Sequence, residues 1–224
     1  MADRLDRAVV ERIVREVVIR RLGPGERART NGQPSPLVVN ASARHIHLSQ
    51  KDFERLFGAG AKLTAARPLY QPGQFAAEQT VTLVGPRRRL ISNLRILGPL
   101  RNLTQIELAF TDAITLGIDD LPVRLSGNIA GTPGGYVMGP AGMLEMKEGL
   151  IRAAMHVHMS PADAERYAVK NGDLMKLRVG GAAAVTFDRV LVRVDPSFRL
   201  EVHMDTDEAN ACGLHLTKEV ALLR

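Results

Sequence analysis

The six histidines of this 224-residue chain are placed unevenly. Four of them form two His-x-His pairs, His45 with His47 and His156 with His158. Random placement of six histidines in a chain of this length gives about 0.16 such pairs. Alternation along a β-strand directs both imidazoles of a pair to one face, and imidazole is a common zinc ligand. The spacing therefore predicts metal binding, with purely structural histidines as the alternative.

Each pair lies in a stretch that occurs twice, at residues 43–55 and 154–166. The alanine, both histidines, serine, aspartate, glutamate and arginine coincide between the two copies. Before the serine, alternation with β-branched neighbours predicts a strand. Ser49 and Ser160, each with an aspartate three residues later, are typical of helix N-caps. Two strand-to-helix units in one chain predict a duplicated or pseudo-symmetric core.

Composition favours short strands and excludes several classes of protein. Val, Ile, Leu, Thr and Gly-Pro pairs dominate the middle of the chain, which indicates many short strands in barrels or a sandwich. One large domain or two small ones fit the length. The single cysteine, Cys212, excludes an internal disulfide and fits a reducing compartment. No apolar run is long enough to cross a bilayer, and we expect an intracellular protein without a membrane partner.

The formal net charge of +6 indicates an anionic partner. The absence of tryptophan, the few other aromatic residues and the lack of a recognisable binding motif argue against nucleic acid. Scattered arginines suit a small polyanion better, such as a nucleotide, phosphate or coenzyme A. The glycine-rich residues 131–142 could form a phosphate loop, but they carry no Walker or dinucleotide pattern.

Residues 1–22 form a predicted amphipathic helix, with six aliphatic side chains on one face and arginines across most of the other. Gly23-Pro24-Gly25 ends this helix, and a flexible linker is expected up to residue 36. An apolar helix behind a linker suggests docking onto another protein. The alternative is packing on its own domain or on a dimer mate.

Beyond the linker, hydrophobic patterning predicts short strands and two further helices. The helices are residues 50–57 and 207–211, and the strands are residues 37–40, 80–84, 89–92, 94–97, 104–108, 174–179, 184–187 with 190–194, and 198–204. Alternation places Gln105 and Glu107 on one strand face, and Glu201 and His203 on another.

Several short segments together resemble the phosphate propanoyltransferase family, the phosphotransacylases of bacterial microcompartments. They are Ser-Ala-Arg-His-Ile-His-Leu-Ser (42–49), Gly-Pro-Leu-Arg (98–101), Thr-Gln-Ile-Glu (104–107), Thr-Leu-Gly-Ile (115–118), Arg-Leu-Ser-Gly (124–127), the second histidine pair and Met-Asp-Thr-Asp-Glu-Ala-Asn (204–210). The resemblance covers roughly residues 37–215. It implies a mainly β fold of two small β-barrels with short capping helices, preceded by the N-terminal helix and linker of residues 1–36. Residues 37–44 with 154–224 would form the first barrel and residues 45–153 the second.

The resemblance also implies the site residues. His45, His47 and Glu107 would hold one Zn²⁺, and His156, His158 and His203 a second. Arg101 would bind phosphate with Ser126 beside it, and the residues bordering coenzyme A would be Ser42, Arg95, Leu97 and Asn210. Met155 departs from the pattern, because relatives often have an arginine there that matches Arg44.

The implied reaction interconverts a short-chain acyl-CoA and phosphate with acyl phosphate and coenzyme A, with propanoyl-CoA as the expected substrate of propanediol degradation. Phosphate positioned by metal and arginine would attack the thioester directly. The alternatives are a dizinc thioester or phosphoester hydrolase and a non-catalytic, metal-stabilised scaffold protein of a compartment. The resemblance further implies a homodimer or higher homo-oligomer inside a cytoplasmic microcompartment, with residues 1–22 binding shell or cargo proteins.

Overall fold

The computed structural model describes residues 36–217 and 219–224. The predicted helix of residues 1–22 lies outside them, as does nearly all of the linker. The described helices are short and are named α1 to α4 in chain order: Gln50–Phe57, Phe110–Leu116, Pro161–Arg166 and Thr206–Ala211, followed by a 3-10 turn at Leu214–Leu216. None of the helices in this part of the chain has the length and apolar composition of a membrane span.

Fifteen strands dominate the described residues and form two curled sheets. In chain order β1 to β15 are Val38–Ser42, His45–His47, Ala65–Pro68, Phe75–Val84, Leu90–Gly98, Gln105–Glu107, Val123–Arg124, Gly135–Met138, Met143–Met146, Leu150–Ala153, His156–Met159, Leu174–Val179, Val185–Val194, Glu201–Asp205 and Val220–Leu223. One sheet has the order β1-β14-β11-β13-β12-β15. The other has the order β7-β10-β6-β2-β5-β4-β8-β9, with β3 paired to β4. The predicted mainly β fold with short helices is confirmed.

Each sheet encloses its own hydrophobic cluster. The cluster of the nine-stranded sheet contains fully buried residues such as Ile46, Leu83 and Ile106. The cluster of the six-stranded sheet contains Val157 and Val192. All described residues nevertheless belong to one compact unit, so the barrel boundaries drawn from the sequence stay a prediction.

The strand that precedes each histidine pair belongs to the opposite sheet. The chain leaves β1 of the six-stranded sheet at Ser42 and enters β2 of the nine-stranded sheet at His45. It leaves β10 of the nine-stranded sheet at Ala153 and enters β11 of the six-stranded sheet at His156. The sheets therefore exchange equivalent strands, and each exchange ends at the start of a histidine pair.

The registers of the exchanged strands also correspond. Asn40 pairs with His203 in a parallel ladder between β1 and β14. Ile151 pairs with Glu107 in a parallel ladder between β10 and β6. Asn40 and Ile151 each lie five residues before the first histidine of the following pair, so the two halves of the core are related position by position.

The helix that follows each histidine pair begins as the sequence predicts. The Ser49 hydroxyl accepts a hydrogen bond from the Asp52 N–H, and the Ser160 hydroxyl accepts one from the Asp163 N–H, both at 3.2 Å. Side-chain acceptors at the N-cap satisfy N–H groups that have no partner within the helix. Both caps are therefore confirmed.

One predicted break in a strand is wrong. The sequence predicts separate strands at residues 89–92 and 94–97, but Leu90–Gly98 is the single continuous strand β5. Asn93 has a φ of 56°, and the register with β4 shifts there, which are features of a bulge within one strand. Arg189 has a φ of 65° at the equivalent place in β13.

Two glycines of the glycine-rich residues 131–142 pack against helix α1, and none of these residues lines the cleft between the two sheets. A Cβ atom at Gly139 would lie 2.4 Å from the Leu56 carbonyl oxygen, and one at Gly142 would lie 2.8 Å from that of Arg55. These glycines let the β8–β9 hairpin contact the C-terminal end of α1. Their role is close packing, which leaves the phosphate-loop alternative without support.

Candidate active site

A cleft of about 860 Å³ lies where the strands of the two sheets are exchanged. It is lined by both histidine pairs, by their neighbours on β6 and β14, and by residues of the connecting loops. The sequence repeat thus delivers its two sets of imidazoles to one shared space.

The first cluster consists of His45 and His47 on β2 with Glu107 on the antiparallel neighbour β6. The Nε2 atoms of the two histidines lie 3.1 Å apart. The Glu107 carboxylate oxygens lie 3.6 Å from His45 Nε2 and 3.9 Å from His47 Nε2. Donors about 2.0–2.2 Å from a common tetrahedral ion lie at comparable separations from one another, so this set fits zinc.

The second cluster consists of His156 and His158 on β11 with His203 on β14. One nitrogen of each ring lies within 4.8 Å of the others. Both His158 ring nitrogens are buried without a hydrogen-bond partner among the described residues. Buried polar atoms normally find a partner, so these nitrogens are available to a ligand, and three imidazoles suit zinc.

Backbone carbonyls fix the tautomer of the leading histidine in each cluster. His45 Nδ1 donates to the Ala43 carbonyl and His156 Nδ1 donates to the Ala154 carbonyl, both at 2.8 Å. A carbonyl oxygen accepts and cannot donate, so Nδ1 carries the proton in both rings. The Nε2 lone pair of each ring is therefore directed to its cluster, as a metal ligand requires.

Burial keeps most of these imidazoles neutral. Desolvation, followed by the neighbouring histidines, lowers the pKa of His47 to about 3 and that of His158 to about 2. Desolvation and His203 lower the pKa of His156 to about 4. Burial also opposes charge on Glu107, yet His45 and His47 outweigh it and hold the pKa of that carboxyl below its usual value. The first cluster therefore combines the Glu107 carboxylate with a neutral imidazole at His47.

Arg101 lies beside the first cluster and is held by its surroundings. Its guanidinium donates to the Ser126 hydroxyl at 3.1 Å, and its backbone N–H donates to the Leu48 carbonyl at 2.8 Å. Gln105 also donates to the Ser126 hydroxyl and, at 2.7 Å, to Glu107. Arg101 and Ser126, which sequence reasoning links to phosphate, are therefore in direct contact.

Thr104 joins the Arg101 loop to the cap of helix α1. Its hydroxyl accepts from the Ser49 N–H at 3.0 Å and donates to the Asp52 carboxylate at 2.5 Å. In the second copy, the Ser160 N–H donates directly to Asp163 instead. The extra hydroxyl in the first copy fixes the loop that presents Arg101.

A buried carboxylate lies behind the second cluster. Glu201, only 2% exposed, pairs in register with His158 and lies 3.1 Å from His203 Nε2. Gln71, from the loop between β3 and β4, donates to Glu201 at 2.5 Å, and Asn40 donates to it as well. Burial raises the pKa of Glu201, but His203, Gln71 and Asn40 outweigh burial and keep it below its usual value.

The remaining predicted residues divide between the cleft and its surroundings. Ser42, Arg95 and Leu97 line the cleft, whereas Asn210 is exposed on α4 and does not line it. Arg95 donates to the carbonyls of Ala77 and Glu78, both at 2.9 Å.

Other residues of the cleft escape sequence reasoning. Arg193 is one, and Phe198, whose ring stacks on His158 with centroids 4.0 Å apart, is another. Gln71, which donates to Glu201 behind the second cluster, also escapes it. Their position depends on strand register and on loops that cross between sheets, and no local pattern in the sequence signals either.

The chain matches known proteins over most of its length. The family model described as phosphate propanoyltransferase matches residues 38–215. A phosphate propanoyltransferase of Planctopirus limnophila is 52% identical over 230 residues, which cover 100% of this chain and 94% of that protein. Those of Thermotoga maritima and Salmonella typhimurium are 51% and 50% identical, over 80% of this chain and 85% and 84% of theirs. The chain therefore belongs to the phosphate propanoyltransferase family, a family of transferase enzymes.

Proposed function

We propose that this enzyme interconverts a short-chain acyl-CoA and phosphate with acyl phosphate and coenzyme A. The observation that carries the proposal is the shared cleft, in which two clusters of metal-ligand type face arginine side chains. The relatives are named for phosphate and a propanoyl group, so propanoyl-CoA is the substrate we propose.

The proposed metals are two Zn²⁺ ions, one held by each cluster. The inward Nε2 lone pairs of His45 and His156 and the unpartnered nitrogens of His158 support this assignment. Bound zinc would polarise the thioester carbonyl and stabilise the departing thiolate.

The proposed role of Arg101 is to bind the incoming phosphate. A guanidinium offers two parallel N–H donors to a phosphate, and the Ser126 hydroxyl and the Thr104 link keep this side chain and its loop in place. Cys212, the single cysteine, is buried and does not line the cleft, so it cannot carry the acyl group. Direct attack of phosphate on the thioester carbon is therefore the mechanism we favour, with coenzyme A thiolate as the leaving group.

The proposed partners beyond the substrates are shell or cargo proteins of a bacterial microcompartment, bound through residues 1–22. The support is the predicted amphipathic helix, because no other side chain of that helix can cover its aliphatic face. Coenzyme A is proposed to border Ser42, Arg95, Leu97 and Asn210, and the protein is proposed to form a homodimer or higher homo-oligomer.

The test of the function is an assay with propanoyl-CoA in the presence and absence of inorganic phosphate. We expect release of coenzyme A, followed with a thiol reagent, to depend strictly on phosphate and to match the acyl phosphate formed. A dizinc hydrolase would release coenzyme A without phosphate, and a scaffold protein would release none. Either result would overturn the proposal.

Replacing Arg101 with alanine should weaken phosphate use without removing metal. Loss of one preorganised charge-stabilising donor typically costs about 2.7–4 kcal/mol, so kcat/KM for phosphate should fall by about 10²–10³. Arg87→Ala is the control, because Arg87 pairs with Asp119 on the exposed surface. Steady-state kinetics at varied phosphate, with zinc analysis of both variants, make the measurement. Native phosphate saturation in R101A would remove Arg101 from the site.

Replacing Glu201 with glutamine should weaken metal binding at the second cluster. Loss of an outer carboxylate behind a ligating histidine typically costs 10- to 100-fold in metal affinity, and we expect about this loss. The first cluster should keep its metal, because Glu201 does not belong to it. Zinc content under a competing chelator gives the result. Glu165→Gln, an exposed site on α3, is the matched control, and equal chelator resistance in both variants would contradict the role of Glu201.

Deleting residues 1–33 should leave specific activity and zinc content intact, because every proposed site residue lies at or after Ser42. We expect the shortened protein to be more soluble and to self-associate less, since an isolated amphipathic helix is marginal in water and orders against a partner. Activity, zinc content and light scattering test this. Residues 1–22 fused to a fluorescent protein should enter microcompartments. A truncated protein that unfolds or loses catalysis would show that the helix belongs to the core.

A further inference from the structure

Arg193 is a cation that the function proposed above does not use. It lies on β13 and pairs in register with His158 on the parallel neighbour β11. Side chains of directly paired residues in adjacent strands share one face of a sheet. Arg193 is therefore on the same face as His158, and both residues line the cleft.

Within the part of the chain that the structure describes, Arg193 has contacts but no strong polar partner. No hydrogen bond or ion pair is formed by its guanidinium, which lies 5.9 Å from the centre of the Phe198 ring. Asp195, the one carboxyl group whose pKa it helps to lower, is fully exposed, and Ser197 contributes more to that shift. Arg95, which lines the same cleft, differs because backbone carbonyls satisfy its guanidinium.

The charge of Arg193 acts on the site itself. It contributes, after burial and the neighbouring histidines, to the low pKa of His158. It also lowers the pKa of Arg101, after the larger effect of burial. Arg193 on β13 and Arg101 on the loop between β5 and β6 thus repel each other across the cleft, and an anion between them would turn that repulsion into attraction.

We propose that Arg193 is a second phosphate-binding residue, which holds the incoming phosphate from the side of the second cluster while Arg101 holds it from the side of the first. The inference rests on the proposed function and adds a residue to it. Inorganic phosphate is the anion, because Arg193 lies among the histidines of the cleft, where the attacking phosphate must reach the thioester. The phosphates of coenzyme A are the competing source of the same chemistry.

The test compares Arg193→Gln with Arg178→Gln, which removes an equal charge from an exposed position on the neighbouring strand β12. Inorganic phosphate and, separately, coenzyme A are titrated into each zinc-loaded full-length protein by calorimetry. Hydrogen bonds to a charged group contribute about 1.5–3 kcal/mol, so R193Q should bind phosphate about 10- to 100-fold more weakly. Coenzyme A affinity should stay at the wild-type value in both variants. Arg193→Lys keeps the charge but loses the planar fork, and should bind phosphate with intermediate affinity.

Zinc content and the melting temperature establish that each variant is folded, and R193K provides the measurement if R193Q is not. Wild-type phosphate affinity in a folded R193Q or in R193K would overturn the inference. Weaker coenzyme A binding with unchanged phosphate binding would overturn it too and would assign Arg193 to coenzyme A. The wild-type assay separates the two proposals. Failure of wild-type protein to release coenzyme A with phosphate would refute the proposed function, whereas phosphate-dependent release together with native phosphate binding in R193Q would refute the role of Arg193 alone.

Discussion

The reciprocal exchange of strands between the two sheets is the constraint on which the site depends. Each histidine pair begins three residues after a strand that is hydrogen-bonded into the opposite sheet. The parallel ladders of β1 with β14 and of β10 with β6 therefore hold the starts of both pairs at the junction of the sheets. The cleft exists because the chain crosses there twice.

The two clusters use the same backbone frame with different side chains. In the first, Glu107 pairs with His45 as a candidate ligand and Gln105 pairs with His47 behind it. In the second, His203 takes the ligand position and Glu201 the position behind it. The first cluster thus combines two histidines with one carboxylate and the second combines three histidines with one, but the negative charge lies among the ligands in the first and outside them in the second. A pseudo-symmetric frame in this way supports two chemically distinct centres.

The local part of this architecture could be predicted from the sequence. The helix caps at Ser49 and Ser160 follow from residue type and spacing, and both are present. The mainly β fold followed from composition and patterning. Asn93 misled the strand prediction, because a polar residue at a bulge resembles a strand end. Arg193 and Gln71 escaped because their positions beside the second cluster depend on contacts between residues far apart in the chain.

Gln71 gives the second cluster a dependence that the first lacks. His45, His47 and Glu107 all belong to strands of the nine-stranded sheet. Glu201, behind the second cluster, is held by Gln71 from a loop of that sheet, which also contacts the Arg199 backbone. The support of the two centres is therefore asymmetric. The three ligands of the first lie within one sheet, whereas the carboxylate behind the second is held by a residue from the other sheet, so the second centre depends directly on how the two sheets join.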